Sequence, residues 1–191
     1  MPDVQRCADA WDRATRHPFL DAVREGTIAP SAFDTWLAQD ALFVADLLAF
    51  QARLLARAPR SAQAVLAAGT VALVEELAWF DAQADSRGLD LNVPALPPTE
   101  EYAALLGRLD AAPYPVAVTA LWALERVYLL AWQHAAPASE SYRAYVEHWT
   151  APAFAGYVAA LGEAADAAGA PLDAVPEVLE LETGFWPAVA R

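Results

Sequence analysis

Proline placement constrains this chain more than any other feature. Most of its 14 prolines stand at the ends of long runs rich in alanine and leucine. A proline lacks the backbone donor and pushes the preceding residue out of helical geometry, so such residues mark joints between helices. No strand-like alternation of useful length occurs between them. The runs are expected to form helices over about 3–15, 18–25, 31–58, 61–87, 99–111, 114–135, 139–168 and 173–190. Ser31, Ser61 and Thr99 are the expected N-caps, and Gly88 is the expected left-handed terminator. Pro176, Gly184 and Pro187 are expected to break or kink the last segment. The fold class is therefore all-α, a bundle of about seven to eight helices in a single domain spanning 1–191.

With 57% hydrophobic residues and seven tryptophans, 191 residues can build a substantial core. A formal charge of −13 argues against nucleic acid and anionic membrane surfaces, whose phosphates it repels. The runs around 41–52 and 114–132 carry Asp46 and Glu125-Arg126, so neither is expected to span a bilayer. A single cysteine, Cys7, cannot support an internal disulfide or a multi-cysteine metal site. Residues 1–14 are charged throughout and show no signal pattern. A cytoplasmic location is expected.

Three acids lie inside aromatic, apolar helices. Glu125, Tyr128 and Trp132 share a face at i, i+3 and i+7; Trp36, Asp40 and Phe43 share another. Glu182 is followed at i+3 and i+4 by Phe185 and Trp186. Burying an unpartnered carboxylate costs several kcal/mol, so acids among rings point to a pocket for a flat, polar heterocycle. Asp40 can accept from an exocyclic amine while Trp36 or Phe43 stacks on the ring. Glu182, held against rings, is expected to keep a proton near neutrality.

Each acid also has a structural explanation. Asp40 can pair with an arginine of a neighbouring helix, and Glu125 can bond Tyr102 or Tyr128 within the core. Glu182 can belong to a solvated face with Glu177 and Glu180. Arg126 adjoins Glu125 in sequence but points away from it on a helix. Trp79, Tyr102, Trp122, Tyr142, Tyr145 and Trp149 are expected core aromatics. Neither His17, His134 nor His148 follows a glutamate by three residues, as a di-iron bundle requires. Gly-x-Gly phosphate motifs and zinc spacings are absent, so no metal or organic cofactor is expected.

Several of these residues fall in a recognisable order. His17-Pro18-Phe19, Gly26-Thr-Ile and Phe33-Asp-Thr-Trp36-Leu-Ala-Gln39-Asp40 resemble the opening of the TenA (thiaminase II) family. Glu75-Glu76-Leu is similar to its paired-glutamate helix, Tyr102 to a tyrosine after a proline loop, and Glu182-x-x-Phe185-Trp186 to its C-terminal acid and aromatic pair. The resemblance implies a haem-oxygenase-like helical fold. The thiaminase branch carries a cysteine four residues before a tyrosine on the sixth helix; here that position is Leu124. Trp122-Ala-Leu-Glu125-x-x-Tyr128 resembles the branch with glutamate in this helix, the TenA_E type. Phe43 and Trp149 stand where other members carry tyrosines.

That branch implies salvage of thiamin-derived pyrimidines, with an aminomethylpyrimidine or its formyl derivative hydrolysed to the hydroxymethylpyrimidine and intact thiamin cleaved weakly or not at all. Asp40 would hold the exocyclic amine, Phe43 and Trp149 would sandwich the ring, and Trp36 would add to the aromatic wall. Glu182 would donate a proton, Glu125 would activate water, and Tyr102 and Tyr128 would orient the acids. A homodimer or homotetramer is implied. The competing reading is a non-catalytic pyrimidine-binding or regulatory protein, and a haem enzyme would need an axial ligand such as His17.

Overall fold

The computed structural model describes residues 8–190. Among these, nine helices follow in order: α1 (Ala8–Thr15), α2 (Pro18–Glu25), α3 (Pro30–Arg57), α4 (Arg60–Arg87), α5 (Pro97–Ala111), α6 (Tyr114–His134), α7 (Arg143–Trp149), α8 (Pro152–Ala167) and α9 (Val175–Val189). The expected helix over 139–168 is thus two helices, parted at Thr150–Ala151 where Pro152 forces its predecessor into an extended conformation. Cys7 lies outside the described residues.

Proline sets the helix starts more firmly than the hydroxyl residues do. Pro30 and Pro97 occupy the first helical position, where a missing donor costs nothing, so Ala29 and Leu96 are the N-caps. Ser31 and Thr99 fall inside the first turn rather than before it, and Ser61 likewise follows Arg60. Thr99 instead donates its hydroxyl proton to Gln39 Oε1 at 2.7 Å. Gly88 does terminate α4 at φ 66°, a conformation that disfavours a side chain. Pro187 lies in the last turn of α9 and does not interrupt it, so Glu182, Phe185 and Trp186 keep one buried face.

The core forms around α3 and α6. α6 packs against α8, α1 and α9, while α3 packs against α4 and α5. α4 lays a stripe of Ala62, Leu66, Gly69, Leu73 and Phe80 on this core. Gly69 is required by close approach: a Cβ there would overlap the Gln51 amide and the Tyr157 hydroxyl. Those two groups form a buried polar node, with Tyr157 donating to Gln51 Oε1 at 3.0 Å and Gln51 donating to the Leu66 carbonyl at 3.0 Å. By length and composition alone α4 and α6 are both long and apolar enough to cross a membrane. α6 is instead largely buried as the core helix, and α4 rests on α3 with Val71 and Val74 exposed.

Candidate active site

A cavity of about 440 Å³ opens between α3, α4, α6, α7 and the start of α8. Asp40, Phe43, Glu125, Tyr128 and Trp149, drawn from three separate helices, meet on its wall. They are joined there by Glu75, Glu76, Trp79, Leu124 and His148. Trp36, Tyr102 and Glu182, also expected at the site, are not among the lining residues. Trp36 is fully buried behind Trp149, edge-on at 5.3 Å. Tyr102 stands behind Phe43, with ring centroids 4.8 Å apart, and Glu182 is bonded to Tyr102.

Asp40 is 2% exposed. Its partner is a phenol, not the neighbouring-helix arginine considered above: the Tyr128 hydroxyl donates to Oδ2 at 2.5 Å. Burial holds the Asp40 carboxyl well above its ordinary range; the Tyr128 bond opposes this, and Glu76 and Glu182 add to it. The Tyr128 bond therefore serves Asp40, not Glu125.

Glu182 is 5% exposed, whereas Glu177 and Glu180 are exposed, so it does not belong to their solvated face. It accepts from the Tyr102 hydroxyl at 2.5 Å. Burial pushes its carboxyl up to about 7 despite that bond. Both phenols are themselves raised, by burial first and then by the nearby acids, so they remain donors.

Glu125 departs most from the sequence reading. No tyrosine bonds it, and its buried Oε1 has no protein partner among the described residues. Burial, reinforced by the charge of Glu76, pushes its carboxyl up to about 8. Arg126 gives it no help: its guanidinium lies 5.7 and 5.6 Å from the ring centres of Trp11 and Trp122.

Glu76 enters the sequence reading only as part of the Glu75-Glu76 pair, with no role at the site, yet it lines the cavity. The Trp149 indole N–H donates to its Oε1 at 2.6 Å, favouring a charged form that burial disfavours. The signal was present, since Trp79 and Phe80 follow Glu76 at i+3 and i+4, repeating the pattern around Glu182. Trp79 also stacks on His148, 4.4 Å away at 11°.

The described residues contain no cluster of three or more metal-binding side chains. His17 caps α2, its Nδ1 accepting from the Phe19 N–H at 3.1 Å. The ring proton is thereby placed on Nε2, which leaves neither nitrogen free as an axial ligand.

The sequence model of the TENA/THI-4/PQQC family matches residues 4–191. A protein of Glycine max, named a probable bifunctional TENA-E protein, is 37% identical over 132 residues; the match covers 65% of this chain and 58% of that protein. The chain thus spans less than two thirds of that relative's length. The structure of a TenA homologue from Pyrococcus furiosus is 25% identical, with 97% of each chain covered and a TM-score of 0.92. A structure described as a TenA family transcription regulator from Silicibacter is 18% identical, covering 97% of this chain and 93% of its own at a TM-score of 0.88, and shares the fold. The arrangement is the haem-oxygenase-like all-α fold of these homologues, and likeness to a TENA-E protein supports the branch with glutamate at position 125. Matched from residue 4 to its last, the chain belongs to the TENA/THI-4/PQQC family.

Proposed function

We propose that this protein hydrolyses the exocyclic C–N bond of a thiamin-derived aminomethylpyrimidine, releasing ammonia and the hydroxymethylpyrimidine. The observation that carries the reading is the pairing of Asp40, held by Tyr128, with an unpartnered Glu125 on the wall of one aromatic cavity. A carboxyl group matches the edge of an aminopyrimidine: one oxygen accepts from the exocyclic amine and the other shares a proton with the adjacent ring nitrogen. Sharing that proton draws electrons from the ring and makes the methylene carbon a better electrophile. Phe43 and Trp149 offer the flat surfaces that hold the ring.

In the reacting complex the substrate's ammonium faces an ionised Glu125. The water oxygen bonds to the methylene carbon as the C–N pair leaves with nitrogen, giving neutral ammonia. The proton lost by water goes to Glu125, so charge and atoms balance without a covalent enzyme intermediate. Glu182, the proton donor expected from the sequence, does not line the cavity: one oxygen accepts from Tyr102, whose ring packs on Phe43, and its buried Oε1 has no protein partner among the described residues. Glu182 is better suited to a positioning role, holding Tyr102 against Phe43. Leu124 lines the cavity where the thiaminase branch has its nucleophile, which fits poor cleavage of intact thiamin.

Incubation with aminomethylpyrimidine should release ammonia and the alcohol in equal amounts, and Glu125→Gln should slow this by about 10²–10⁴-fold. Thiamin should remain uncleaved under the same conditions. Tight pyrimidine binding with no ammonia released would leave the non-catalytic binding protein as the correct reading.

A further inference from the structure

We propose that Glu76 and Glu125 act as a pair that seats a protonated primary amine, making the cavity selective for an aminomethyl heterocycle over the matching alcohol and over its phosphate ester. The inference rests on the reading of this cavity as a pyrimidine site and assigns its specificity to a residue given no role there.

The two carboxyl groups come from α4 and α6 and line the same cavity. They are prepared differently. Glu76 has one oxygen anchored by the Trp149 indole N–H at 2.6 Å, a donor that supports the ionised form. Glu125 has no donor at all on its buried Oε1. The charge of Glu76 adds to burial in raising Glu125, whereas the indole donor on Glu76 opposes the effect of burial there, so a proton held in the cavity falls to the unassisted member, Glu125. An ammonium group carries three donors and a charge, and it can satisfy Glu76 and Glu125 together.

The rest of the wall points the same way. Facing the pair are Asp40 from α3, Glu75 from α4, Tyr128 from α6 and His148 from α7; Tyr157 of α8 also feels both charges. No lysine or arginine lines the cavity among the described residues. Burial lowers the His148 pKa, which leaves it a neutral ring at neutrality. A phosphate ester, with a charge of about −1.5 to −2, would meet the carboxyl groups of Asp40, Glu75, Glu76 and Glu125 and no cationic side chain. An alcohol would meet no repulsion but could not neutralise Glu76. The same pair therefore favours release of the alcohol product.

Seating a cation should expel the proton from Glu125, which supplies the carboxylate that hydrolysis requires. Calorimetry at pH 7 in two buffers of different ionisation heat reads both effects. The ligands are aminomethylpyrimidine, hydroxymethylpyrimidine and its phosphate ester, with benzylamine and benzyl alcohol as probes lacking the pyrimidine edge. The amine of each pair should bind about ten- to hundredfold more tightly than its alcohol. Proton release should accompany the amine alone, and the phosphate ester should bind weakest.

Glu76→Gln should collapse the amine-to-alcohol ratio toward one, while Glu76→Asp should keep part of it. If Glu76→Gln does not fold, Trp149→Phe, which removes the donor on Glu76, should lower the ratio in its place. Equal affinities within both pairs, or a ratio unchanged in Glu76→Gln, would overturn the proposal. A preference seen with benzylamine but no binding of either pyrimidine would uphold the carboxyl pair and defeat the pyrimidine reading.

Discussion

Replacing Glu125 by glutamine should stabilise the protein, and the gain should grow as pH rises from 5 to 9. In the folded chain this carboxyl ionises at about 8, against an ordinary value of 4.5. An acid whose folded value is raised binds its proton more tightly when folded. Below 4.5 the group is neutral in both states and costs nothing. Between 4.5 and about 8 the unfolded chain ionises and gains hydration that the folded chain cannot match, so stability falls with pH. Above 8 both states are ionised and the loss levels off. At ~1.4 kcal/mol per tenfold, the full loss is on the order of 5 kcal/mol, with roughly 3–4 kcal/mol of it incurred by pH 7. Glutamine keeps the size of the protonated acid and cannot ionise. Glu182, raised to about 7, imposes a similar slope on both proteins and cancels in the comparison. Urea denaturation of both proteins at unit intervals of pH reads the difference. The two stability curves should nearly meet at pH 5 and separate by several kcal/mol at pH 9. Parallel curves would show that Glu125 is ionised and hydrated at neutrality, and the account of its burial would fail.

Asp40→Asn should weaken aminomethylpyrimidine binding by ~1–3 kcal/mol, because the amide can present a donor where the ligand also donates. Unchanged affinity in calorimetry together with a lowered melting temperature would make Asp40 a structural partner of Tyr128 only. Gly69→Ala should destabilise the fold by ~1–3 kcal/mol, since the added methyl displaces the Gln51–Tyr157 pair. A urea midpoint equal to that of the unsubstituted protein would show that this polar node yields without cost.

What the sequence could reveal depended on how local each cause was. Proline and glycine act within a turn of where they stand, which is why the joints near 59, 88 and 113 were legible. The break before Pro152 has the same local cause, and the residues that precede it (Val146, His148, Trp149 and Thr150) are weak helix formers, so it too was open to a local reading. The helix faces carrying Asp40, Glu125 and Glu182 were also legible, because an acid among rings is conspicuous at helical spacing. Which acid meets which tyrosine was not. Tyr128 lies three residues from Glu125 but bonds Asp40, 88 residues away, and Tyr102 reaches Glu182 across 80. Pairings of that kind are set by how helices cross, which no spacing within one helix encodes. Glu76 was visible only as half of the Glu75-Glu76 pair, because its bond to Trp149 spans 73 residues and no local spacing encodes it.

The cluster around Trp149 gives the protein an optical property. Trp149 stacks on Trp132 with ring centroids 4.9 Å apart at 26°, while its N–H is held by Glu76 on the cavity wall. Two indoles so close share their electronic excitations, and a pair fixed at one angle gives a signed near-ultraviolet circular dichroism band. One member of this pair is bonded to a cavity carboxylate, so a change in the charge of Glu76 alters the field across the pair. A ligand that changes the charge of Glu76 should therefore shift this band, and near-ultraviolet circular dichroism with and without aminomethylpyrimidine checks it.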